Sequence, residues 1–348
     1  MREYYKKIDG EMSERLNIMK FIFMLMVVFI HSDALPELPF ELELPKYVVI
    51  FKNFIVDGIC TLAISGFFFI AGFLLFSREF SWWDNMKKKL RSIVLPYCIV
   101  NTFWILFFKV MQSCTITAAW FSGNAYQING IKGLVRAFYA PIPLYYPFWF
   151  LRDLFILNII AGLIKKCISK MPVVFFIIVI GVGVNVITLP FLVSTSSFCM
   201  FTMGYYAGGY LRDVKELDRI KLWELCFAFL AIIFCRLYIY DDATIGLVYS
   251  FEGILLFYRL SGIIYKSKFS RQIIWCSQFS FFIYITHEFY EAMMKKIVMI
   301  ILPQYGFVQI LEFLILPIAV SAFCIVAGAA MKKYLNPLFY LVCGYRKK

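Results

Sequence analysis

Charge is scarce in this 348-residue chain: Asp, Glu, Lys and Arg together make up 16%. Apolar residues make up 62%, aromatics 20%, and the mean hydropathy is +0.77. A soluble domain is about half apolar and about a quarter charged. The shortage of charge therefore excludes a water-soluble fold and reads as an all-α, polytopic transmembrane bundle. Histidine is scarcer still, with two in the whole chain. The ten cysteines stand singly, mostly inside apolar stretches, with no CxxC and no Cys/His cluster. That spacing argues against a disulfide framework or a zinc site, and no metal is expected. Internal repeats, low-complexity tracts and a soluble second domain are also missing. The polar start, "MREYYKKIDGEMSERLN", lacks the pattern of a cleaved signal, so the first span is expected to be retained.

What charge there is has an order. The net charge is +13, and the cations gather in short runs between apolar spans: "KKKLR" 87–91, "KK" 165–166, "KSK" 266–268 and "RKK" 346–348. This pattern follows the positive-inside rule and does not call for nucleic acid. Ten apolar spans are expected, at about 16–34, 48–76, 92–113, 146–164, 172–191, 195–211, 222–240, 244–265, 273–294 and 308–331. With Arg2, Lys6, Lys7 and Arg15 holding the N-terminus inside, both termini come out cytoplasmic. Residues 1–15 and 332–348 are then cytoplasmic segments of a single membrane domain over 1–348. The first outer loop carries Glu37, Glu41 and Glu43, and the fourth is "DDA" 241–243. Lys295 and Lys296 break the pattern, in the last outer loop. Segment 114–145 is the longest outer loop, with a short amphipathic middle suited to an interfacial helix or a cap.

Ionisable residues inside spans cost roughly 2.5–3.5 kcal/mol each on insertion scales, so they tend to face a protein interior or a watery cavity. Here they include Lys20, His31, Asp57, Lys109, Arg152, Asp153, Arg236, Glu252, Arg259, His287, Glu288 and Glu291. Singly, each has a structural explanation: Lys109 and Arg259 can snorkel, and Arg236 can pair with Asp57 or Glu252. Together they indicate a polar path.

In "KFIFMLMVVFIH" 20–31, eleven residues at 100° turn about 20° past three full turns. Lys20 and His31 therefore share a helix face, about 16 Å apart along the axis. A cation near the cytoplasm suits phosphate, and an imidazole deeper in suits proton transfer. A ligand with a phosphorylated head and a thin arm would touch both, and coenzyme A thioesters have that shape. A snorkelling Lys and a hydrogen-bonded helical His account for the pair equally well. In "SFFIYITHEFYE" 280–291, Tyr284, His287, Glu288 and Glu291 stand at neighbouring helical positions, although Glu288 cannot face His287 directly.

Several stretches, in order, resemble the acyltransferase-3 family of integral-membrane acyltransferases. "RLNIMKFIFMLMVVFIHS" resembles its first helix, where a basic residue, usually Arg, precedes a His by eleven positions. "ISGFFFIAGFLLFSR" (64–78) resembles its "FF-x-x-SGF" stretch, with Ala71 in the usual Ser place. "KKKLRSIVLPY", "FWFLRDLFIL" (148–157), "MGYYAGGYL" (203–211) and "SFFIYITH" resemble its "R-x-LxPY", "WFL-x-x-L", "GY" and late "S-F-x-I-Y-x-x-H" segments. Lys20 keeps the charge of the family Arg without its two-pronged fork.

The resemblance implies transfer of an acyl group, often acetyl in the family, from cytoplasmic acyl-CoA to an extracytoplasmic or lipid-linked cell-surface glycan. It implies a bacterial inner membrane, with membrane lipids as neighbours; a homo-oligomer is left open. Carried onto this chain, it makes His31 the general base or acyl carrier, with His287 and Glu288 positioning the acceptor or relaying its proton. Lys20 and Arg91 would meet the donor's phosphates, and Arg152, Trp149, Tyr284 and Asp57 the acceptor. A transporter or flippase for glycan or lipid intermediates is the alternative, since a path lined with Arg and carboxylates suits it too.

Overall fold

The computed structural model describes residues 8–32, 44–77, 81–115, 117–118, 130–139, 145–188, 193–210, 214–302 and 305–344. The basic segment 1–7, the acids Glu37, Glu41 and Glu43, most of the 114–145 loop and the "RKK" end lie outside them. Among the described residues there are thirteen helices and no strand. They are α1 (Gly10–Ser32), α2 (Lys46–Phe76), α3 (Trp82–Ser113), α4 (Gly130–Tyr139) and α5 (Tyr146–Lys170). There follow α6 (Pro172–Gly183), α7 (Thr195–Tyr210), α8 (Leu222–Tyr238) and α9 (Ala243–Tyr265). The last four are α10 (Ser270–Ser277), α11 (Ser280–Ile301), α12 (Gly306–Tyr334) and α13 (Asn336–Cys343).

Every expected apolar span falls on a helix. Six of them, α1, α2, α3, α5, α9 and α12, are long and apolar enough to cross a membrane. Helices α6, α7 and α8 are shorter, at 12, 16 and 17 residues, and α11 is diluted by its buried charges. The expected ninth span, 273–294, is in fact two helices, broken between Ser277 and Ser280.

The chain divides into two compact units, Met1–Phe80 with Ile164–Ala329, and Ser81–Leu163 with Ala330–Lys348. In the first unit, α2 and α7 approach backbone to backbone. A Cβ added at Gly72 would lie 1.9 Å from the Phe201 carbonyl oxygen, and one at Gly204 would lie 2.1 Å from that of Phe69. Gly204 and Gly208 are the small residues of "GYYAG", four apart on one face, which is how membrane helices pack closely without a hydrophobic driving force.

Helix α2 neither breaks nor simply tilts at Asp57. It widens into π-helical turns over Phe54–Cys60. Arg236 of α8 caps the widened stretch, donating from Nη1 to the Asp57 carbonyl (3.0 Å) and to Thr61 Oγ1 (3.2 Å). It also pairs with Asp241 at 3.2 Å. Arg236 is thus a structural partner, but of the Asp57 backbone and not of its carboxylate.

One end of the first unit gathers the start of α1, the turn Val214–Arg219 and the end of α9. Arg15, only 1% exposed, donates to Asp218 through both Nη atoms at 2.7 and 2.8 Å. Arg259 reaches the same carboxylate at 3.2 Å. Arg15 is therefore a buried staple and not merely an interfacial cation, and Arg259 is tied to Asp218 and to the Ile220 carbonyl. The other end gathers the end of α1, the start of α2 at Tyr47, the end of α11 and the start of α12 at Gly306. Residues 214–221 and 266–272 thus share the end of this unit where α1 begins, and 295–302 lie at the other.

A buried histidine pair as candidate active site

Helix α1 is regular from Gly10 to Ser32, so the shared face of Lys20 and His31 holds. Lys20 is half-buried and donates to Asn17 Oδ1 at 3.3 Å. His31 ends the helix against α11, where it meets the second histidine. The two rings lie 5.0 Å apart between centroids, at 70°, edge to face. Below them, Val28 of α1, Ile283 of α11 and Val320 and Cys324 of α12 form a dry cluster, each turned fully inward. It fixes the two helices one turn before each histidine.

His287 is completely buried. Its Nδ1 lies 2.9 Å from the Ile283 carbonyl oxygen and 3.0 Å from that of Tyr284. Carbonyls only accept, so Nδ1 carries the proton and a neutral ring leaves its lone pair on Nε2. This assignment follows from the partners, as histidine tautomers do. No hydrogen-bond partner for Nε2 stands among the described residues. The backbone of α11 thus presents a fixed base atom, without a protein partner among the described residues, in the buried interior. Its orienting groups are carbonyls of its own helix and not Glu288, which is half-buried on a neighbouring face. Tyr284 contributes its carbonyl here, while its side chain packs beside the apolar cluster.

The same face of α11 continues as His287, Glu291 and Lys295, at steps of four residues and 0%, 2% and 4% exposed. Neither carboxylate oxygen of Glu291 finds a hydrogen-bond partner among the described residues. Lys295, expected in an outer loop, is instead buried within α11, and its ammonium donates to the Ser32 carbonyl. Lys52 of α2 and Glu312 of α12, 4% and 7% exposed, line a small pocket with Ser32, Lys295 and Gln309. Lys52 Nζ lies 5.4 Å from the Phe313 ring centroid. These four charges were missed as site residues. The signals were present: the four-residue ladder in "HEFYEAMMK", and a positive charge on the wrong side of the charge pattern.

Asp57 is exposed, in the π-helical stretch beside Arg236, which donates to its carbonyl. Arg91, Trp149 and Arg152 belong to the second unit. Arg91 is exposed in the π-helical turns Leu90–Val94. Arg152 donates from Nε and Nη2 to Asp153 Oδ1 at 3.1 and 2.8 Å, and Asp153 is 1% exposed. Trp149 is half-buried, edge-on to Phe150 at 6.4 Å. In that unit Asn85 Nδ2 donates to Asn158 Oδ1 at 3.1 Å and Trp82 Nε1 to the Ile159 carbonyl at 2.8 Å, which clip the start of α3 to α5.

A lone base atom beside a second imidazole is what acyl transfer to a hydroxyl needs: one group to take the hydroxyl proton and a neighbour to share it. The comparisons with known proteins place the chain among acyltransferases. The chain is 24% identical over 303 residues to the succinoglycan biosynthesis protein ExoH of Rhizobium meliloti (strain 1021), covering 80% of this chain and 79% of that protein. No solved structure matches it. The acyltransferase domain family matches residues 13–331, a stretch that begins before the Arg15 staple and ends past the histidine pair, and the chain belongs to this acyltransferase-3 family of membrane acyltransferases.

Proposed function

We propose that the protein moves an acyl group, acetyl in the first instance, from cytoplasmic acyl-CoA to a hydroxyl of a cell-surface polysaccharide across a bacterial inner membrane. The observation that carries this reading is His287 Nε2, a buried base atom without a hydrogen-bond partner among the described residues, with the His31 ring 5.0 Å away. The printed role of the relative, succinoglycan biosynthesis, supports a polysaccharide acceptor. The charge pattern supports ten crossings with both termini inside.

In the reaction the acceptor oxygen attacks the thioester carbonyl carbon. The new C–O ester bond forms as the C–S bond breaks. The hydroxyl proton passes to His287 Nε2, with His31 beside it, and then to the departing thiolate. Charge on the ring pair is met by the Glu291–Lys295 ladder one and two turns away. Within the first unit, Lys20 meets donor phosphates, and Glu288, Tyr284 and Asp57 serve the acceptor; Arg91, Arg152 and Trp149, expected to bind donor or acceptor, belong to the second unit. General base catalysis of this kind contributes about 10²–10⁴-fold.

The test is thiol release from acetyl-CoA by purified protein in nanodiscs supplied with membrane glycan extract. Loss of release in both His31→Ala and His287→Ala supports the reading. Full release in both variants would overturn it, and no release by the wild type with any acyl-CoA would favour transport.

A further inference from the structure

Where α1 begins, an open groove of about 890 Å³ lies between α1, the end of α9 and α10. A space of this size suits a drug-sized or nucleotide-sized ligand. It is on the end of the first unit away from the histidine pair. Its wall is mixed: Ser267, Lys268, Arg271, Gln272 and Gln278 line it beside Tyr265, Ile274 and Trp275, with Glu14 from α1. Arg271 and Trp275 of α10 and Gln278, which caps its end, follow at steps of four and three, and all three are exposed. Trp275 is 49% exposed. Helix α10 begins at Ser270 on the groove, so its positive N-terminal end adds to Lys268 and Arg271. Glu14 is the acid in the lining.

Two cations with a helix start recognise phosphate, and an exposed indole next to them offers a stacking face for a base. A carboxylate at the rim accepts from ribose hydroxyls or an exocyclic amine. From Glu14 to His31 the rise along α1 is about 25 Å at 1.5 Å per residue. A ligand seated here must therefore carry its reactive group on a long arm.

We propose that this groove seats the nucleotide end of the acyl donor, with Lys268 and Arg271 on its phosphates, Trp275 against its base and Glu14 on its ribose. It rests on the acyl-CoA reading above and adds to Lys20 a phosphate site that neither sequence pattern nor family resemblance indicated.

The experiment measures binding of acetyl-CoA and of S-acetylpantetheine, which lacks the nucleotide, to wild type and to Lys268→Glu/Arg271→Glu in nanodiscs of purely neutral lipid. All of these side chains are exposed, and an unchanged melting temperature checks the fold. The groove predicts at least a ten-fold weaker Kd for acetyl-CoA in the double variant and no change for S-acetylpantetheine. An equal loss for both ligands, or none for acetyl-CoA, overturns it. Repeating the comparison in nanodiscs with anionic lipid separates the other phosphate source: a variant that loses only lipid association assigns the patch to headgroups and overturns the proposal. Wild type that binds acetyl-CoA while the double variant is unchanged sinks the groove alone, whereas wild type that binds no acetyl-CoA sinks the donor reading with it.

Discussion

Lys295 reaches from α11 to the backbone carbonyl of Ser32, the residue directly after His31. The last carbonyls of a helix have no partner within it, so this ammonium completes the end of α1 at the point where the first histidine must be held. Lys295 is 4% exposed, and Glu291, one turn before it, is 2% exposed. Replacing Lys295 with Met removes a charged hydrogen bond, about 1.5–3 kcal/mol, and leaves Glu291 with less compensation. The expected outcome is a lower melting temperature in nanodiscs and reduced acyl transfer. Lys295→Arg keeps a donor in reach and should recover most of both. A Lys295→Met protein as stable and active as wild type would remove the clamp from the account.

Gly204→Leu should be among the most damaging single changes. The Cβ alone would stand 2.1 Å from the Phe69 carbonyl oxygen and 2.7 Å from the Phe73 nitrogen. Both are backbone atoms, so no rotamer can relieve the clash, and α2 must move off α7. Overpacking a well-packed site costs about 1–3 kcal/mol, and a backbone clash belongs at the upper end or beyond. Size-exclusion profiles of the solubilised variant should show loss of the monodisperse species. Gly209, where an added Cβ would have only the Tyr205 ring near, at 3.9 Å, provides the control: Gly209→Ala should behave as wild type.

The Arg15–Asp218 staple predicts a pH dependence of stability. Partial burial pushes the Asp218 carboxyl up, but hydrogen bonds and charge from Arg15, and then from Arg259, outweigh it and hold it below the usual aspartate range. A carboxyl lowered by folding stabilises above its unfolded value, and that contribution is lost as pH falls through the folded value. Asp218→Asn should therefore lower the melting temperature at pH 7, because Arg15 stays buried with only Glu11, at 3.7 Å, as counter-charge. The gap between variant and wild type should close in strongly acidic buffer. A gap that is constant with pH would mean the pair contributes by packing alone.

The helical class, the positions of the apolar spans and both histidines could be read from the sequence, because they rest on hydropathy and on the scarcity of the residues themselves. The register of Lys20 and His31 was also readable, since α1 is uninterrupted. What could not be read depended on contacts between segments far apart in the chain. Arg15 looks like one more interfacial cation until Asp218, 203 positions away, is placed against it. Lys52 and Lys295 look like charges near span ends until Ser32 and Glu312 close around the same pocket. The orientation of His287 was hidden for a different reason. The sequence shows only that Glu288 cannot face it, whereas the helix itself turns Nδ1 onto its own carbonyls and leaves Nε2 to the interior. The break of the ninth span between Ser277 and Ser280 was equally concealed, because the residues on both sides continue an apolar, helix-forming run.

The closeness of the two rings sets the form of the catalytic test. If His287 Nε2 takes the proton and His31 acts with it, the two work as a unit at 5.0 Å. Groups that act as a unit give non-additive losses. His287→Ala should reduce thiol release by about 10²–10⁴-fold, the range of a lost general base. His31→Ala should fall in the same range, and the double variant should be no worse than the poorer single. Independent roles, such as one residue binding the donor and the other the acceptor, would instead make the losses multiply. His287→Gln separates chemistry from packing. It fills much of the buried volume and supplies a hydrogen-bonding oxygen, but it cannot carry a proton through the reaction. It should fold with a melting temperature near wild type, keep its affinity for acetyl-CoA and release almost no thiol. Release near the wild-type rate from His287→Gln would assign the base to His31 and leave His287 a packing role.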